Sequence, residues 1–169
     1  MSYIKNLKFE KDITLFINQD TYRKIEQCVD KAYPNEACGL IYGKIEEIKK
    51  SNFEDDYSYH YYTKKFNCVE SSFESPVSFL MDDYLKLKEI SEKYLKNFNL
   101  QLISIFHSHP GGPYPSGIDI PYMRNYYEGK IIKFKHIIWT IMDAQKKVLN
   151  GFIYVFDELR QINVDFIKK

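Results

Sequence analysis

His107 and His109 stand two residues apart at the end of the apolar run Leu100 to Phe106. If that run is a β-strand, its two-residue period puts both imidazoles on one face, where they can converge on a single metal ion. Asp119 follows after the loop Pro110-Gly-Gly-Pro-Tyr-Pro115 and the tetrapeptide Ser116-Gly-Ile-Asp119, a stretch compact enough to fold a carboxylate back on the histidines. Two imidazoles and a carboxylate suit Zn²⁺ with a fourth position left for water, the arrangement of catalytic zinc. A second reading stands beside it. Ser116-Gly-Ile-Asp119 is also a capping box, with Ser116 as N-cap and Asp119 at the third helical position. Asp119 can open a helix and still face His109, so the two readings are compatible.

Glu36 is the other candidate. It immediately precedes the apolar segment Ala37 to Tyr42, from where a sheet edge can deliver a carboxylate to a site. A glutamate after Pro34-Asn35 is otherwise an ordinary solvated loop residue. Ser108, between the two histidines, falls on the opposite strand face and reads as a structural hydrogen-bonding group rather than a nucleophile.

The elements that must hold these residues follow from periodicity and breakers. Ile13 to Phe16 is a short apolar run, after which Asp20 can cap a helix with Tyr22, Ile25, Val29 and Ala32 on one side. Pro34 ends it. Ala37 to Tyr42 reads as a buried strand, Lys44 to Lys50 as its turn into a solvent-washed partner, and Tyr57 to Tyr62 as another strand. Ser75-Pro76 opens a second helix with Phe79, Leu80, Tyr84, Leu87, Ile90 and Tyr94 at helical spacing. His136 to Met142, Val148 to Phe156 and Ile162 to Phe166 complete a set of strands, the first two joined by a turn at Asp143-Ala-Gln-Lys-Lys147. Early alternation of strands with helices and a late meander predict an α/β-type (α+β) fold, a mixed, mostly antiparallel sheet flanked by helices, over residues 1–169 as one domain.

Composition narrows the function classes. The 169 residues suffice for one core, and 44% hydrophobic and 17% aromatic content excludes intrinsic disorder as the main state. Lys plus Arg number 24 against 23 Asp plus Glu, so the net charge of +1 gives no electrostatic surplus for nucleic acid. The three cysteines, Cys28, Cys38 and Cys68, are odd in number and form no CxxC pair. That argues against a disulfide framework or an all-cysteine zinc site and for three small buried hydrophobes. The N-terminal residues lack the apolar core of a signal peptide and no run is long enough to span a bilayer, which predicts a soluble, cytoplasmic protein with no membrane partner. Tyr57, Tyr59, Tyr61 and Tyr62 offer aromatic surface to a partner or are plain sheet formers.

Taken together, these segments resemble the JAMM metallopeptidases, also called MPN-plus or Mov34 proteins, whose pattern is an upstream Glu, then His-x-His, a spacer, and Ser-x-x-Asp. Glu36, His107, His109, Ser116 and Asp119 match it in type and order. The segments from Pro34 to Gly43 and from Phe106 to Asp119 are most similar to short prokaryotic members, which place residues similar to Asn67, Phe79 and Trp139 at the corresponding points. The likeness runs from about Pro34 to about Phe156. It departs at one point, for the loop Pro110 to Pro115 is one residue shorter than is usual in the family.

The resemblance implies an MPN/JAMM-like fold and a zinc ion held by His107, His109 and Asp119. Glu36 would be the general base and Ser116, with the metal, would stabilise the oxyanion. The implied reaction is hydrolysis of an amide or isopeptide bond after the C-terminal Gly-Gly of a ubiquitin-like or sulfur-carrier protein. Eukaryotic deubiquitinating members clamp their modifier with insertions for which this chain has little room, which favours a prokaryotic carrier. The alternative from another class is a non-catalytic MPN-type scaffold, although such scaffolds generally lack the ligand set. RadC-type proteins share the histidines and Ser-x-x-Asp, but the Glu36 segment is more similar to the peptidase branch. A zinc deaminase would need His-x-Glu with Pro-Cys-x-x-Cys, and a serine hydrolase Gly-x-Ser-x-Gly, and the chain has neither.

Overall fold

Apolar residues at alternate positions of Ile13–Asn18 form the first strand, β1, and bury Ile13, Leu15 and Ile17 completely. Helix α1, Gln19–Ala32, follows at once, and Asn18 rather than Asp20 is its N-cap: the Asn18 side chain accepts from Thr21 N at 2.8 Å. Asp20 lies inside the first turn instead, paired with Arg23 and Lys24, where a carboxylate also favours the helix N-terminus. The remaining elements are β2 (Cys38–Lys49), β3 (Tyr57–Val69), α2 (Tyr84–Phe98), β4 (Gln101–His109), α3 (Asp119–Glu128), β5 (Ile138–Asp143), β6 (Leu149–Val155) and β7 (Glu158–Ile167). This computed structural model describes residues 12–52, 57–69, 84–128 and 136–168. The expected helix opening at Ser75-Pro76, and Phe79 and Leu80, lie outside the described residues.

The strands close a barrel in the order β1-β3-β2-β4-β5-β6-β7. Pairing is parallel at β1/β3, β1/β7 and β4/β5, and antiparallel at the other four interfaces. The fold is thus mixed α+β with a mostly antiparallel sheet. One face of the sheet carries Ile13, Leu15, Ile41, Ile103, Phe106 and Met142 with Ile25 and Val29 of α1. The opposite face of β2, β4, β5 and β6 carries Cys38, Leu40, Ile105, Trp139, Ile141 and Phe152, covered by Leu87 of α2 and Met123 of α3. The histidine ends of β4 extend this second face.

Three expectations need correction. Lys44 to Lys49 are no turn but the second half of β2, because register with Tyr57 to Tyr62 of β3 supplies backbone partners that a mostly charged stretch, with only Ile45 and Ile48 apolar, does not announce. The register shifts at Tyr42/Gly43, and there a Cβ on Gly43 would collide with the Tyr62 carbonyl, so only glycine allows the approach. Cys28 and Cys68 form a disulfide that ties α1 to β3, which leaves Cys38 alone as a free, buried thiol. An odd count does not exclude one bridge, and the two half-cystines meet only because the barrel brings α1 over the end of β3. Finally, Tyr59 and Tyr61 are buried in the core and unavailable to a partner, while Tyr62 stacks on Phe16 at 5.0 Å.

Candidate metal centre

Strand register, not loop wandering, sets the distances in the site. Cys38 of β2 pairs with His107 of β4 in antiparallel fashion, so continuing the ladder puts Ala37 opposite Ser108 and Glu36 opposite His109. The hydrogen bonds agree: Ser108 N donates to Ala37 O at 2.9 Å across the backbones, and Ala37 N donates to the Ser108 side-chain Oγ at 2.8 Å. Ser108, fully buried on the face away from the histidines, therefore pins the residue next to Glu36, the structural role its place in the strand predicts.

Asp119 arrives from the other side. Helix α3 begins at Asp119 and is packed by Met123 against the histidine-bearing face. The capping box is formed as expected. Asp119 N donates to Ser116 Oγ at 3.3 Å, and Ser116 N donates to Asp119 Oδ2 at 2.6 Å. The same carboxylate also faces the imidazoles, with Oδ1 at 3.4 Å from His107 Nε2 and Oδ2 at 3.3 Å from His109 Nε2. Helix cap and ligand cluster coexist in one side chain.

His107, His109 and Asp119 present one donor atom each, all within 4.8 Å of one another, and could hold a metal ion together. The chemistry of the donors supports a fit. His107 is completely buried, and neither of its ring nitrogens makes a hydrogen bond, Nε2 having only the 3.4 Å electrostatic contact with Asp119 Oδ1. A buried imidazole without hydrogen bonds is costly, and a metal bond would relieve that cost. His109 is oriented differently: its Nδ1 lies 2.9 Å from the Tyr114 carbonyl. A carbonyl only accepts, so Nδ1 carries the proton and Nε2 is the nitrogen presented to the cluster.

The electrostatics are those of a coupled group. For Asp119, burial works to raise the carboxyl pKa, but the imidazoles of His107 and His109 and the Ser116 N–H outweigh it and hold the group well below the usual carboxylate range. For His109, burial works downward, and the Asp119 carboxylate, Glu36 and the Tyr114 carbonyl raise it overall. Glu36 sits 3.9 Å from His109 Nε2 and is half-buried. Burial raises its pKa, with the two imidazoles opposing and Asp119 adding to the rise. A cavity of about 270 Å³ opens beside Glu36, between the end of α1, the Asn35–Ala37 segment and Cys68–Val69 of β3.

The structure thus brings Glu36, His107, His109, Ser116 and Asp119 into one cluster. Sequence reading missed the Tyr114 carbonyl, which no side-chain pattern can announce. It also missed Asn150, the one amide in the otherwise apolar strand Leu149–Val155, whose Nδ2 donates to Pro113 O at 3.2 Å.

Residues 18–149 match the family profile described as prokaryotic homologs of the JAB domain. No curated protein sequence matches the chain. Among solved structures, the solution structure of protein DSY2949 from Desulfitobacterium hafniense is similar in fold, at a TM-score of 0.63 and 22% identity, over 93% of this chain and 94% of that one. Among the described residues, no helix is long and apolar enough to cross a membrane.

Proposed function

The chain belongs to the family of prokaryotic JAB-domain homologues, and from that premise we propose that it is a zinc-dependent hydrolase that cleaves an amide or isopeptide bond after the C-terminal Gly-Gly of a ubiquitin-like or sulfur-carrier protein. The observation that carries the reading is the buried imidazole of His107, which no hydrogen bond satisfies, facing Asp119 beside His109, with Glu36 next to the cluster. A structural cap needs Asp119 but not two imidazoles aimed at it.

His107, His109 and Asp119 would hold the zinc, which when bound supplies Lewis acidity and brings the pKa of water towards about 7. Glu36 takes the proton of the attacking water at a carboxylate oxygen and returns it to the leaving amine. It lies 3.9 Å from His109 Nε2 and is half-buried, close enough to the cluster to hold that water by a hydrogen bond. Ser116 Oγ accepts from the N–H groups of Ile118 and Asp119, both at 3.3 Å, so both lone-pair positions are engaged and its own proton is left to donate to the oxyanion. Gly-Gly specificity is supported by the short, proline-rich loop Pro110 to Pro115 beside the site, past which a chain without side chains passes most easily.

The test is Glu36→Gln on carrier fusions ending in Gly-Gly, Gly-Ala and Gly-Leu before the leaving group. We expect the variant to keep its zinc and near-ultraviolet dichroism and to lose hydrolysis by about 10²–10⁴-fold, and the parent to cleave only the Gly-Gly fusion. Near-parental activity in Glu36→Gln would make Glu36 a solvated bystander. Equal cleavage of the three fusions would remove the carrier specificity.

A further inference from the structure

We propose that Asn150 is a positioning residue for the metal centre, acting through the loop that joins His109 to Asp119. Asn150 lies one residue beyond the segment matched by the family profile. It is level with the site: His107 pairs with Ile141 of β5, and Ile141 pairs with Asn150 of β6, so the three lie in one line across the sheet.

The loop has little that holds it from within. A Cβ at Gly111 would meet nothing, and Gly112 adopts a φ of +129° that other residues avoid. Its anchors come from β6, where alternate residues share a face. Asn150 Nδ2 donates to the Pro113 carbonyl at 3.2 Å. Phe152 meets the ring of Tyr114, with centroids 6.4 Å apart. Tyr154 accepts at its hydroxyl from Arg124 Nε of α3 at 3.0 Å. These three side chains fix, in order, the loop, its exposed ring and the helix that begins at Asp119.

Asn150 has the most direct line to the chemistry. The carbonyl it holds, Pro113, is followed by the Tyr114 carbonyl that accepts from His109 Nδ1. Fixing one peptide plane constrains the next, and a fixed acceptor keeps His109 in the form that offers Nε2 to a metal. Removal of such outer contacts typically costs about 10–100-fold in metal affinity. The affinity part of the proposal rests on the zinc reading above. The part about the His109 ring does not.

Asn150→Leu keeps the size and removes the donor, Asn150→Ala guards against a leucine that does not fit, and Asn150→Gln restores an amide. Zn²⁺ affinity is measured on the full chain by competition with a chromogenic chelator. The ring state of His109 is read from long-range ¹H–¹⁵N spectra of the zinc-free protein at mildly alkaline pH. We expect the Leu and Ala variants to bind Zn²⁺ about 10–100-fold more weakly and to lose the single Nδ1–H form of His109, with Gln recovering both. Parental affinity and ring state in Leu and Ala would overturn the proposal, as would a Gln variant no better than Leu. So would affinity losses that merely track a lowered unfolding midpoint of the zinc-free chain. If the parent itself binds no Zn²⁺, the proposed function fails and the ring spectra alone decide on Asn150: an unchanged Nδ1–H form in Leu and Ala overturns its role, and a lost one upholds it.

Discussion

Two aspartates, Asp119 and Asp143, close turns beside the same pair of strand ends and are equally buried at 5% exposure. Asp143 ends β5 directly opposite His109, the end of β4. Its carboxylate turns back into its own loop, where Oδ1 accepts from Gln145 N at 2.9 Å and Lys146 N at 2.8 Å. Those backbone donors, that of Lys146 foremost, lower its pKa. Asp119 has one backbone donor, Ser116 N, and otherwise faces two imidazoles. An aspartate satisfied by its own turn shapes the chain. One that caps a helix and keeps acceptor capacity directed at basic side chains is available for chemistry.

The largest expected effect breaks the pair apart. Asp119→Asn and His107→Ala are each predicted to reduce zinc from about one ion per chain to a trace, because three ligands with water make a complete tetrahedral set. Asp143→Asn keeps the zinc of the parent despite its proximity to His109. Elemental analysis after reconstitution and desalting checks this. Loss of metal in Asp143→Asn as well would mean that the distinction between the two turns is false.

A smaller effect sharpens the comparison by pH in the zinc-free protein. His109 has a raised pKa, so its pairing with Asp119 stabilises the fold fully below the unfolded-state value and is lost as pH rises through the folded-state value. Asp119 and Asp143 have lowered pKa values, so their contributions are present above the unfolded carboxylate range and disappear as pH falls through the folded-state values. Glu36, raised, adds a decline of the same sign as that of His109 at lower pH. Urea unfolding of the chelated parent is therefore expected to show stability falling from mildly acidic to alkaline pH, with a slope of at most one proton, ~1.4 kcal/mol per pH unit. Asp119→Asn flattens that slope near neutrality. Asp143→Asn retains it and weakens only the acid limb. Identical profiles for the two variants would refute the contrast.

The sequence carried most of the Asp119 side of this comparison. His107, His109, Ser116 and Asp119 lie within one short segment, and a period of two followed by a capping box can be read locally. The turn at Asp143 was legible for the same reason. Glu36 stood out by its place before an apolar strand, but its 3.9 Å approach to His109 depends on the β2/β4 register, which no local pattern encodes. Other features were hidden for related reasons. The charged half of β2 is a strand because β3 pairs with it, the Cys28–Cys68 bridge depends on where α1 crosses β3, and barrel closure needs β1 to find parallel partners on both sides. Asn18 displaced Asp20 as the cap because β1 runs straight into the helix, and Asn18 is also held by Thr63, through Asn18 Nδ2 to Thr63 O at 2.8 Å.

The smallest predicted effect lies within the Asp119 turn itself. Asp143 closes its turn without help from a hydroxyl, whereas Asp119 shares the capping of α3 with Ser116, whose Oγ takes two N–H groups at 3.3 Å. Those bonds are long, and the 2.6 Å bond from Ser116 N to Asp119 Oδ2 does not involve the hydroxyl. Ser116→Ala therefore leaves the aspartate tethered while exposing two helix-terminal donors, one of them partly reached by water. The expected loss is about 1 kcal/mol of stability in the zinc-free chain, with zinc content unchanged. Activity on a Gly-Gly fusion falls much further, about 10²–10³-fold, if the hydroxyl proton serves the oxyanion. Urea midpoints, metal analysis and initial rates on one preparation separate the three. A loss of zinc would place Ser116 in the metal's support instead, and parental rates with the small stability loss would leave it a helix cap with no part in the chemistry.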